Sequence, residues 1–67
     1  MISEKVQTRR QRVLELLTEG MSTREIAQEI GAARATVRLD VQFLLMEHGA
    51  DNQVQLAAIV VRRGVVK

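Results

Sequence analysis

Apolar positions recur along this 67-residue chain at the three- and four-residue steps of a helix. Val13, Leu14, Leu16 and Leu17 form one such stripe. It predicts a first helix over residues 8–19, stopped by Gly20 and preceded by a frayed polar lead from Met1 to Lys5. Ile26 and Ile30 mark the inner face of a second helix over 22–30, where the small Ala27 lets another helix cross closely. Val37, Val41, Leu44 and Leu45, at i, i+4, i+7 and i+8, predict a third over 33–47, ended by Gly49. A fourth is expected over 52–63, capped by Asp51 or Asn52, ended by Gly64 and followed by Val65 and Val66 as a hydrophobic tail. The pattern holds no repeat, linker or low-complexity segment, so 1–67 is expected to be a single all-α domain.

The junction between the second and third helices is the most specific local feature. Ser22 or Thr23 can cap the second helix, because a hydroxyl there accepts from backbone N–H groups left without intrahelical partners. Gly31 supplies the left-handed conformation that ends a helix without a Cβ penalty. The third helix starts within a few residues and carries Arg34 and Arg38 one turn apart. A plain helical hairpin would share the turn. The outward arginines add what a hairpin does not need, and the segment reads as a helix-turn-helix suited to the DNA major groove. Arg38, near the start of that helix, is the candidate for base edges, and Gln42, one turn on, can read adenine.

The fourth helix is apolar nearly all round, from Val54 to Val61. A surface helix of a small domain buries one stripe only. Leu56, Ala57 and Val60 are assigned to the core, which leaves Val54, Ala58 and Val61 for a two-fold copy of the chain. The same residues also alternate in a way open to a pair of strands.

Composition narrows the classes. The chain has no cysteine, no proline and a single aromatic residue, Phe43, so its core is aliphatic and no thiolate metal site exists. A lone histidine, His48, cannot hold a metal, and at a helix end it is a simple partner for the C-terminal dipole. No phosphate loop or nucleophile–base pair is present, and Glu25 and Glu29 read as a solvated face, so neither an enzyme nor a cofactor is expected. No apolar run approaches membrane length, which leads to the expectation of a soluble, cytoplasmic protein. Net charge is only +2, but eight of the ten cations are arginines, grouped at Arg9-Arg10-Arg12, Arg34-Arg38 and Arg62-Arg63. Arginine's planar fork fits phosphates and guanine edges. At least one of these groups is expected to be no more than a solvated face.

Taken in order, these pieces resemble the LuxR/GerE-type helix-turn-helix domain from about Val6 to Val66. Arg9, Val13-Leu14, Leu16-Leu17 and Gly20 resemble its opening helix and stop. Ser22-Thr23-Arg24-Glu25-Ile26-Ala27 is similar to its Ser-Asn-Lys-Glu-Ile-Ala signature, and Thr36-Val37-Arg38 to its Thr-Val-Lys. Gly49, Asn52, Leu56-Ala57 and Gly64-Val65-Val66 resemble its fourth helix and Gly-Leu-Ile end. The resemblance implies four helices, double-stranded DNA and a dimer through the fourth helix. It places Arg38, Leu39 and Gln42 at major-groove base edges, and Thr23, Arg24, Arg34 and Thr36 nearer phosphates.

This chain departs from the family pattern at several points. Ala33 stands where a small hydroxyl residue is usual, so the recognition helix lacks that cap. Asp40 stands where histidine is common. It is expected either to pair locally with neighbours of Arg38 or with Arg10 or Arg12 of another helix, or to lie at the DNA boundary and hold affinity down. Phe43 and His48 replace a polar residue and a leucine, and Phe43 fits either the core or a contact with a partner protein. Arg38-Leu39-Asp40-Val41 also resembles the Arg-Arg-Asp-Leu of DeoR-type winged helices, which would require a β-wing after Gly49. The expected function is a stand-alone transcriptional regulator that binds a two-fold site as a homodimer, with another regulator or RNA polymerase as a further candidate partner. The alternative is an interaction module that pairs with a longer homologue and inhibits it, which Asp40 and Ala33 favour because both weaken DNA contact.

Overall fold

A computed structural model describes residues 4–64, which form four helices: α1 (Glu4–Thr18), α2 (Thr23–Ile30), α3 (Arg34–His48) and α4 (Gln53–Arg62). Each boundary has a local cause. Ser22 caps α2 by accepting from the Glu25 N–H at 3.2 Å, while the Glu25 carboxylate accepts from the Ser22 N–H at 2.9 Å. This reciprocal capping box satisfies two orphan donors. The Ser22 backbone bond also holds the Glu25 carboxyl below the usual carboxylate range. Gly31, at φ +70°, ends α2 in the left-handed conformation, and its N–H donates back to the Ala27 carbonyl. Asn52 caps α4, its side-chain oxygen accepting from the Gln55 N–H at 2.8 Å.

Three expectations need correction. Helix α1 starts at Glu4 rather than Thr8, so Glu4 and Lys5 are not a frayed lead. The Thr8 hydroxyl donates to the Glu4 carbonyl at 3.0 Å, a bond made inside a helix and not at its cap. Residues 54–61 are helical, which removes the strand pair, and no strand occurs among the described residues, so the wing of a winged helix is absent. The remaining shifts are one residue at a helix end, with Arg63 rather than Gly64 as the C-cap of α4. Met1–Ser3 and the Val65–Val66 tail lie outside the described residues.

Helices α1 and α3 pack on each other, and α2 and α4 each pack on both without touching one another. The shared core is Val13, Leu14, Leu16, Leu17, Ile26, Ala27, Val37, Val41, Leu44, Leu56 and Val60. Ile30, Leu45 and Ala57, three of the expected inward positions, are only half-buried at its edge. The core contains no aromatic ring. Its contacts are therefore aliphatic and non-directional.

Candidate nucleic-acid interface

Burial separates the two sides of α3. Val37, Asp40, Val41 and Leu44 face inward, whereas Arg38, Leu39 and Gln42 are exposed. At 3.6 residues per turn, Ala35, Arg38, Leu39, Gln42 and Met46 fall within an arc of about 100°, and all five are exposed. Leu39 is 66% exposed and Met46 83%, both large apolar side chains on a free face. The three base-edge candidates thus share one surface. Ala35 and Met46 extend it, and sequence reasoning missed them, although their helical spacing from Arg38 and Leu39 was available as a signal.

The phosphate candidates lie around the start of this face. Arg34 is the first residue of α3 and Arg24 the second of α2, and both are exposed. Thr23 and Thr36 are half-buried. Ala33 occupies the N-cap of α3 in extended geometry and makes no side-chain bond, as its missing hydroxyl requires. On α4, Val54, Ala58 and Val61 are all exposed, with Val54 at 82%.

Asp40 lies on the opposite side of α3 from the exposed arc and is 1% exposed. It accepts from Arg9 through both oxygens, from Nε at 2.5 Å and from Nη2 at 2.8 Å, and from Arg10 Nε at 3.3 Å. Burial raises its pKa, but the hydrogen bonds and charges of Arg9 and then Arg10 outweigh it and hold the carboxyl below the usual carboxylate range. Asp40 in turn keeps Arg9 more firmly protonated. The expectation of an anion at the DNA boundary is therefore corrected, because this carboxylate is buried and neutralised inside the fold. The expected pairing partners were local neighbours of Arg38, or Arg10 or Arg12, and the bonds to Asp40 come from α1. Arg10 does contribute, Arg9 makes the bidentate bond, and Arg12 instead lies 3.5 Å from Glu15 on the surface. Arg10 also stacks on Phe43, its guanidinium carbon 3.6 Å from the ring centroid, which leaves Phe43 half-buried beneath it. His48, in the last turn of α3, approaches Glu47 at 3.4 Å.

The four helices, the turn from Gly31 to Ala33 and the exposed arc meet in one further finding: the family model for the bacterial regulatory proteins of the luxR family, GerE, matches residues 6–60. The chain belongs to the LuxR family. No curated protein and no solved structure matches it. LuxR-family membership makes α2–turn–α3 a regulatory helix-turn-helix, with α3 in the place of its second helix. No group of side chains able to hold a metal and no helix long and apolar enough to cross a membrane occurs among the described residues.

Proposed function

We propose that this LuxR-family chain is a cytoplasmic transcriptional regulator that lays the exposed arc of α3 in the major groove and binds a two-fold site as a homodimer through α4, with residues 1–67 acting as one unit. The observation that carries the reading is the shared exposure of Arg38, Leu39 and Gln42 on the side of α3 away from the core. Arg38 offers a bidentate fork to guanine and Gln42 an amide to adenine, with Leu39 between them as an apolar contact for base edges. Arg24, Arg34, Thr23 and Thr36 set the register on phosphates, which carry affinity but no sequence information. Another regulator or RNA polymerase is a further partner compatible with a free outer surface.

The rival reading, an inhibitor that pairs with a longer homologue, rested on two residues. Asp40 no longer supports it, since a buried and doubly paired carboxylate repels no phosphate. Ala33 remains, as a cap without an acceptor.

The test is Arg38→Ala on the best site and on random duplex. A base-reading arginine contributes about 1–3 kcal/mol of discrimination, so affinity for the best site falls roughly 5- to 150-fold while random DNA changes little. Equal losses on both would place Arg38 on a phosphate. Gln42→Ala gives a smaller loss confined to one base position.

A further inference from the structure

We propose that Arg9 and Asp40 act as positioning residues for DNA reading: their bidentate pair, seconded by Arg10 on Asp40 and Phe43, sets the rotation of α3 about its axis. The inference rests on α3 being the reading helix.

Four observations carry it. Asp40 is the one buried charged residue among those described. Both of its oxygens are taken by a single guanidinium of α1, in a planar two-bond geometry that tolerates little rotation. The next residue of α1, Arg10, touches α3 at two points three residues apart, the Asp40 carboxylate and the Phe43 ring. The other buried residues of α3 are aliphatic, Val37, Val41 and Leu44, and their contacts carry no directional bond of their own. Buried ionic groups are weak sources of net stability, and in some proteins such groups fix conformation, the role inferred for this pair.

The geometry shows why rotation matters. Arg38 and Gln42 flank Asp40 at two residues on either side, so the pair fixes the backbone from which both reading side chains project. With side chains reaching about 5–6 Å from the helix axis, a turn of about 10° moves their tips by about 1 Å. That is enough to spoil a bidentate bond to a base edge, whereas a phosphate contact made by a long, flexible cation adapts. Loss of the pair therefore harms sequence discrimination more than affinity for DNA in general.

Arg9→Lys is the discriminating variant. It keeps the charge, so the electrostatic attraction to phosphates is unchanged, but it removes the fork. Measured well below its melting temperature, it should lose about tenfold in the ratio of best-site to random-duplex affinity, with random-duplex affinity held within about twofold. Asp40→Leu fills the same space without ionic direction and should show the same loss of ratio while staying folded. Folded variants that discriminate like the wild type, or that lose both affinities in proportion, would overturn the proposal and leave the pair a purely structural one. A wild-type protein that prefers no sequence would overturn the reading of α3 itself, and this inference with it. The wild-type measurement alone tells that failure from the other.

Discussion

Arg9→Met should destabilise the fold by about 2 kcal/mol, and so lower the melting temperature by roughly 8–16 °C in a domain of this size. The cause is the carboxylate left behind. Asp40 is 1% exposed and would keep only the 3.3 Å contact from Arg10 Nε. Removing one member of a fully buried pair costs about 3–5 kcal/mol, and the surviving Arg10 together with the one-third exposure of Arg9 brings that down. The pH dependence checks the mechanism. In the wild type the Asp40 pKa is lowered in the fold, so the pair's contribution is complete above the unfolded value of about 3.9 and is lost as pH falls through the folded value. In the variant, desolvation with less compensation pushes the same pKa upward. The gap between the two proteins should therefore be widest near neutrality and narrow toward acid. Thermal unfolding followed by circular dichroism from pH 7 to pH 3 measures it. A gap that stayed constant across that range would mean that packing of the Arg9 stem, not the ion pair, is what the variant loses.

The second large effect concerns assembly. Ala58→Glu should give a folded monomer whose affinity for a two-fold site is lower by about 10²-fold or more, because the second half-site is no longer bound by a tethered copy. Val54, Ala58 and Val61 lie at i, i+4 and i+7 and are exposed together, while Leu56 and Val60 on the other side of α4 are fully buried. The substitution therefore touches the free stripe and leaves the core intact. A charge buried without a partner in an interface costs several kcal/mol, enough to separate a small dimer. Sedimentation gives the mass and circular dichroism the helicity. A variant that stays dimeric would move the interface away from this stripe.

The two helices that frame the turn were legible because their ends are written in local chemistry. A Ser22 hydroxyl could be read as a cap, although Glu25, read as a solvated face, was not seen as its reciprocal partner, and Gly31 and Gly49 provide the left-handed stops observed at φ +70° and +68°. The start of α1 was not legible in that way. Ser3 precedes Glu4 without the Glu or Gln three residues on that completes a capping box, and the Thr8 hydroxyl, which could have served as a cap, bonds back inside the helix to Glu4. Three of the four inward positions of α3 followed from their spacing, since a stripe of valine and leucine has one energetically sensible direction. Asp40 sits at the same inward spacing, three residues after Val37 and four before Leu44, but its charge breaks the apolar pattern, so the stripe was read without it. What brings it inside is a guanidinium 31 residues earlier in the chain, and which of three neighbouring arginines meets it depends on how α1 is rotated against α3. That rotation is a tertiary quantity. The same holds for Phe43, whose place beneath Arg10 depends on the same crossing. On the candidate interface, the exposed face was read from Arg38, Leu39 and Gln42, whereas Ala35 and Met46 went unnoticed because neither side chain carries polar chemistry.

Selection of bound sequences from a random duplex pool by the purified protein decides whether α3 reads DNA as part of a two-fold pair. The expected result is an enriched, two-fold symmetric site with half-sites about one helical turn apart. Affinity for that site should fall linearly on a logarithmic salt scale, as release of counterions from phosphates requires. A pool that emerges without enrichment, or retention on DNA that is indifferent to salt, would contradict it.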